Sequence, residues 1–260
     1  MKSLGLIWRY LRHNLMSAMA YRGAFVLQVF GMLLNDLMLL VFWTLLFQRF
    51  PLLNGWDLTG VVTIYAVSAS GFGLVVAVFG NLTRVAHVIA SGDLDYYLAL
   101  PANPLWHLLS SRTNLSGWGD LLFGVLLYVI VVPGGWQTLP LYVLLVILVA
   151  LIFCAVGVLA GSLAFWLGQA QDLAAQWFNA TLSFSLYPVD FFPGVVRVLL
   201  YTLLPAALVG SVPARALLQF RWQNLGLMVV FTLGAMALSH WVFFRGLRRY
   251  ESGNMIVTRG

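Results

Sequence analysis

Residues 141–166, LYVLLVILVALIFCAVGVLAGSLAFW, carry no charged side chain. A run this long leaves few structural choices. The hydrocarbon layer of a bilayer is about 30 Å thick and takes about 20 apolar residues of helix. Backbone groups in lipid must be satisfied within the spanning structure, so only helices and closed barrels cross. The apolar residues here are continuous rather than alternating, which selects helices. Composition agrees: 62% of the 260 residues are hydrophobic and 8% are charged, against roughly 25% charged in a soluble domain. The chain reads as an all-α integral membrane protein.

Similar runs place six transmembrane helices at about 23–48, 58–80, 115–132, 141–166, 169–187 and 225–246. The segments QRFPLLNGWD, with Pro51, Asn54 and Gly55, and PGGWQTLP (133–140) read as turns between them. Ahead of the first span, Leu4, Ile7, Trp8, Leu11, Leu15 and Met19 recur at helical spacing, with Lys2, Arg9 and His13 opposite. That pattern suits an amphipathic helix lying at an anionic membrane surface, a plain lead-in being the alternative. The first apolar run starts too late and extends too far for a cleaved signal. Residues 188–213 hold Pro188, Pro193, Pro205 and Pro213, and the apolar piece 194–204 between them is too short to span. A re-entrant hairpin of half-helices fits, with a proline-kinked seventh span as the alternative. Gly157 and Gly161 form a small-xxx-small pair of the kind that lets helix backbones approach. The single Cys154 reads as a buried packing residue.

Against this background, residues 81–114 stand out: NLTRVAHVIASGDLDYYLALPANPLWHLLSSRTN. An island with these charges, two histidines and two prolines cannot cross lipid, so it faces solvent between spans two and three. Leu82, Val85, Val88 and Ile89 suggest that span two continues as a helix, Gly92-Asp93 reads as a stop, and Pro101 and Pro104 bound a second helical piece over Leu105–Leu109. The tip so formed carries Asp93, Asp95, Tyr96 and Tyr97, charged and aromatic residues suited to a partner's cleft. Six spans put both termini on one side. Ten Lys/Arg fall on that side (Lys2, Arg9, Arg12, Arg22, Arg84, Arg112, Arg245, Arg248, Arg249, Arg259) and four on the other (Arg49, Arg197, Arg215, Arg221). The bias places the termini and the island in the cytoplasm and the hairpin outside. The sequons at Asn81, Asn114 and Asn179 then fall on the inner side or in the membrane and read as chance.

Several chemistries find no support. The one lysine, Lys2, follows no glycine-rich turn, so there is no P-loop. His13, His87, His107 and His240 are scattered and read as hydrogen-bonding residues at surfaces or interfaces; no zinc-type motif occurs. No serine occupies a strand–turn–helix elbow. Neither catalytic nor metal-binding residues are expected, and the dispersed arginines do not read as a nucleic-acid surface.

Polar residues within the spans are the other clue. Gln169, Asp172, Gln176, Asn179 and Ser183, followed by Tyr187, recur at intervals of 3 and 4 and share one helix face. Such a stripe avoids lipid. It lines a transport pathway or joins helices or subunits by hydrogen bonds. Asp36 and Asp120 are intramembrane acids, either ion sites or structural groups; Asp120 also suits the first turns of a helix, where a carboxylate is favoured.

IASGDLDYYLALPANPLW (89–106) resembles the cytoplasmic segment of permease subunits of ABC transporters of the second exporter type. YPVDFFPGVVRVLLYTLLPAALVGSVPARALL (187–218) resembles the external hairpin of the same family, and RRYESGN (248–254) its basic ending. The resemblance implies one permease domain: interfacial helix 1–22, spans one and two over 23–80, coupling segment 81–114, spans three to five over 115–187, external re-entrant hairpin 188–224, and span six with a cytoplasmic tail over 225–260. It implies that Gly92, Asp93, Leu94, Asp95, Tyr96, Tyr97 and Pro101 meet a separate ATPase subunit, which binds ATP and Mg, and that the 169–187 stripe faces a seam or pathway. It further implies pairing with a second permease, identical or a paralogue, in the lipid of the cytoplasmic membrane, and export of an amphipathic or hydrophobic cargo. Two other readings are a proton-coupled secondary transporter using Asp36, Asp120 or Asp172, for which no inverted repeat is evident, and a structural membrane scaffold.

Overall fold

Small residues on the second apolar run set the architecture. In a computed structural model, which describes residues 2–20, 22–101 and 103–251, the helices are α1 (Lys2–Ala20), α2 (Arg22–Arg49), α3 (Leu58–Val78), α4 (Val85–Ala90), α5 (Leu94–Leu98), α6 (Pro104–Ser110), α7 (Ser116–Val131), α8 (Gly135–Ser162), α9 (Ala164–Leu167), α10 (Gln171–Ser185), α11 (Gly194–Tyr201), α12 (Ala206–Val209), α13 (Ser211–Leu218) and α14 (Trp222–Leu247). No strand occurs among the described residues. Helix α3 is the buried axis, packed between α7 and α8. A Cβ on Gly73 would lie 2.4 Å from the Leu121 amide nitrogen, and one on Gly124 2.6 Å from the Ala66 carbonyl. The α3 and α7 backbones therefore touch, the packing mode that small residues permit in lipid.

The outer helices are α2 and α14. On α2 only Asp36, Trp43 and Phe47 are buried; on α14 the buried residues are Met228, Thr232, Ser239, Phe243 and Gly246, one stripe turned toward α8. Among the described residues, four helices are long and apolar enough to cross a membrane: α2, α3, α8 with its continuation α9, and α14. A bent pair, α11 with α12–α13, makes up to five; its halves meet at 60°. The runs at 115–132 and 169–187 give shorter helices than their sequence length suggests. Helix α7 has 16 residues and α10 has 15, about 24 and 22 Å; α10 is bounded by Gly168, which takes a positive φ before it, and by Pro188 after it.

Two sequence boundaries move. PGGWQTLP is not wholly a turn: α8 begins at Gly135, with Pro140 inside it. Pro140 forfeits one bond, to the Trp136 carbonyl, near the helix start, and Tyr128 ties the turn by donating to the Gly135 carbonyl at 2.7 Å. Nor does span two run on into the island. Helix α3 ends at Val78, and a 3₁₀ turn, Leu82–Arg84, precedes α4. Cys154 is buried and free. Arg259 and residues 252–254 of the basic ending lie outside the described residues.

The bundle has two ends. At one, α1, the island, residues 163–170 and the end of α14 come together. At the other, the 50–57 loop meets the 188–193 segment and α13: Asp190 accepts from Trp56 Nε1 at 2.9 Å and pairs with Arg215, which also stacks over the Trp56 ring.

Candidate functional site

The island folds into a compact platform because its base is pinned and its apolar residues point inward. Gly80 N–H donates to the Arg112 carbonyl at 2.8 Å, and Asn114 N–H to the Val76 carbonyl at 3.1 Å, closing the loop at its neck. Asn81, buried just above, donates through Nδ2 to the Leu108 carbonyl at 3.0 Å and to Ser111 Oγ. The residues at 82, 85, 88 and 89 are all buried. Leu82 and Val85 press into the two glycines of the small-xxx-small pair: added Cβ atoms would lie 2.5 Å from Leu82 Cγ at Gly157 and 2.5 Å from Val85 Cβ at Gly161. Those glycines thus seat the island on α8 rather than joining two membrane spans.

The tip follows from ordinary stop and start signals. Gly92 takes φ +82°, which suits glycine and ends α4. Ser91 Oγ donates to Asp93 Oδ2 at 2.8 Å as the chain turns into α5. Asn103 caps α6, accepting from Leu105 N–H at 3.1 Å, with Pro104 in the first turn. Of the tip residues, Asp93, Asp95 and Tyr96 are exposed, as is Pro101. Gly92 is half-buried. Leu94 is fully buried and anchors α5, while Tyr97 turns inward, its hydroxyl 3.1 Å from Ser111 Oγ. The outward surface is therefore narrower than the sequence segment.

Two residues tie this platform to distant elements: a histidine that the sequence marked only as a hydrogen-bonding residue, and a tyrosine that it left unassigned. His107, buried on α6, bonds through Nε2 to the Tyr10 hydroxyl of α1 and packs among Tyr10, Tyr96 and Tyr97. Burial pushes its pKa below the usual histidine value, so the neutral ring is favoured. On α1 itself, Trp8 and Met19 of the apolar face remain exposed. Tyr250, just beyond α14, donates its hydroxyl to the Gly92 carbonyl at 2.8 Å and packs against Phe165. Burial first, then the charge of Asp95, pushes the Tyr250 hydroxyl up to about 12. A cavity of about 300 Å³ lies between the tip, residues 164–168 and Arg249–Glu251. Neither tether has a local sequence signal, since each joins residues about a hundred or more positions apart.

A family model described as ABC-2 family transporter protein matches residues 33–253. The chain belongs to that family. It is an ABC-2 permease subunit, a multi-pass membrane protein of a kind that works with an ATPase subunit. A comparison with curated proteins finds no match. The match takes in the island, the polar stripe and the hairpin; α1 lies before it.

Elsewhere in this permease, Asp172, Gln176, Asn179 and Ser183 stand exposed along α10; Gln169, also exposed, sits in the bend before the helix, and Tyr187, beyond its end, packs half-buried against Trp43. The opposite face of α10, Ala174, Phe178, Thr181 and Ser185, is the buried one. The two intramembrane acids meet. Asp36 and Asp120 are each 3% exposed and lie near one another, with the Tyr65 hydroxyl donating to Asp36 Oδ1 at 3.1 Å. Asp120 thus faces α2 instead of sitting free at the start of α7. No basic side chain pairs with either among the described residues.

Proposed function

We propose that this permease is the membrane-spanning half of an ATP-driven exporter, acting in the cytoplasmic membrane with both termini inside. The reading rests chiefly on the pinned platform at 81–114. It offers Asp93, Asp95 and Tyr96 outward from a rigid base and is tied to α1, α8 and the end of α14. A push on that tip reaches the interfacial helix and two long spans together. The partner ATPase holds ATP and Mg, and this chain catalyses nothing itself. Its closure supplies the energy through contacts that differ between its two states.

In this reading the whole chain is one permease domain with six crossings. Helices α7 and α10, though short, complete their passages through the loops that flank them. The bent α11–α13 segment is the external re-entrant hairpin. The exposed polar face of α10 meets a second permease or the cargo path, and the cargo is amphipathic or hydrophobic. The test replaces Asp93, Asp95 and Tyr96 by Ser while leaving the Leu94 anchor in place. Loss of co-purification with the ATPase and of stimulated hydrolysis is expected; full retention of both would remove the docking site. The buried Asp36–Asp120 pair favours one rival, a proton-driven carrier. That rival requires transport without ATP that an uncoupler abolishes and Asp36→Asn eliminates.

A further inference from the structure

At the end of the bundle opposite the platform lies a cavity of about 500 Å³, lined by Leu52, Trp56, Asp57, Arg215, Arg221 and Asn224 among others. Its charges are not all matched. Arg215 is engaged by Asp190 and stacked on Trp56. Arg221 has no carboxylate partner among the described residues. Asp57 accepts the Gly60 N–H through Oδ1 at 2.8 Å, the N-cap of α3, but faces no cation within ion-pair distance. One unmatched guanidinium and one unmatched carboxylate therefore share a concave wall. The rim is apolar: Leu52 is exposed, and beside Arg221 the exposed rings of Phe220 and Trp222 pair edge to face at 4.9 Å. Aromatic pairs at the start of a membrane span mark the headgroup level. The cavity is thus polar inside and apolar at the level where acyl chains begin.

We infer that this cavity binds the headgroup of an amine-bearing glycerophospholipid, phosphate against Arg221 and ammonium against Asp57, with the acyl chains leaving past Leu52 and Trp222. A guanidinium matches phosphate in a paired, charge-assisted geometry. A primary ammonium gives Asp57 hydrogen-bond donors that a quaternary one lacks. The site is independent of the ATPase docking proposed for the opposite end.

The full-length permease, purified in micelles carrying equal amounts of phosphatidylethanolamine, phosphatidylcholine and phosphatidylglycerol, is examined by native mass spectrometry for retained lipid. Selective retention of phosphatidylethanolamine is expected. Arg221→Ala should lower it roughly tenfold, the scale of one charge-assisted bond. Asp57→Ser, which keeps a capping oxygen for α3, should abolish the preference over phosphatidylcholine while leaving the protein folded. Arg84→Ala, at the other end of the bundle, should change nothing. Unselective retention, or selectivity that survives both Arg221→Ala and Asp57→Ser, overturns the assignment. So does soluble glycerophosphoethanolamine competing as well as the lipid, since the site would then read a free headgroup and not a membrane one.

Discussion

Adding a methyl group at Gly157 and at Gly161 should have different outcomes, although both residues belong to the same motif. In a helix interior, Gly→Ala alone stabilises by about 1 kcal/mol. Against that, Gly157→Ala places a Cβ 2.5, 2.6 and 3.0 Å from Cγ, Cδ1 and Cδ2 of Leu82, all side-chain atoms. Overpacking of this kind costs about 1–3 kcal/mol, so the net loss is about 0–2 kcal/mol. Leu82→Ala alone empties a fully buried site and costs about 2–5 kcal/mol. Together the two changes fit, because removing Leu82 beyond Cβ clears the three nearest contacts. Gly161→Ala is different. Its nearest neighbours are Val85 Cβ at 2.5 Å and Cγ1 at 2.7 Å, then the Ala86 amide nitrogen at 3.2 Å. Val85→Ala retains the offending Cβ, so α4 must still move. The assay is a pair of double-mutant cycles on thermal unfolding in detergent. The Gly157/Leu82 cycle should show a compensating coupling of about 1–3 kcal/mol, and the Gly161/Val85 cycle a clearly smaller one. Equal couplings, or a Gly161→Ala protein stabilised by the full propensity gain, would refute the claim that the island is seated on these glycines.

Other outcomes follow from single contacts. Tyr250→Phe removes the bond to the Gly92 carbonyl and should destabilise by about 0.5–1.5 kcal/mol, read as faster hydrogen exchange around Gly92. In the native protein, the hydroxyl stays protonated well beyond neutral pH, so this bond persists until the pH approaches about 12. His107 has a folded pKa below its unfolded value, so protonation favours the unfolded or undocked form. The contribution of His107 is full above about pH 6.5 and is lost as pH falls through the folded pKa; release of α1, followed by limited proteolysis, should increase on acidification and become insensitive to pH in His107→Gln. Asp190→Ala removes the carboxylate that holds Arg215 and Trp56, while Arg197 keeps its bonds to the Phe192 and Asp190 carbonyls. With Asp190 23% exposed and both arginines 44% exposed, screening limits the loss to about 1–3 kcal/mol, and Asp190→Asn, which retains an oxygen for Trp56, should lose less in thermal unfolding.

Much of the candidate site was legible because its signals are local. Pro104 announces the start of α6, Gly92-Asp93 the turn into α5, and the polar composition of 81–114 sets the segment apart from the spans. The middle of the polar stripe, Asp172 to Ser183, was also legible, because helical periodicity places those residues on one face of α10; Gln169 and Tyr187 fall beyond the helix ends. The inward turn of Leu94 and Tyr97 was not. Both sit in a polar, aromatic string whose pattern suggests a surface, and only the packing of α5 on the base of the island distinguishes them from Asp93, Asp95 and Tyr96. The partners of Gly157 and Gly161 were likewise hidden: the motif tells that something approaches closely, not what.

Solvent preference and backbone satisfaction are properties of short stretches, so the sequence alone determined that this chain lives in lipid as helices interrupted by one polar island. Which groups meet depends on the rotation and depth at which helices pack, and that was decided only in three dimensions. Asp36 finds Asp120 and Tyr65, Tyr10 finds His107, and Tyr250 finds Gly92 because α3 lets its neighbours approach to backbone contact and thereby sets the position of everything built around it.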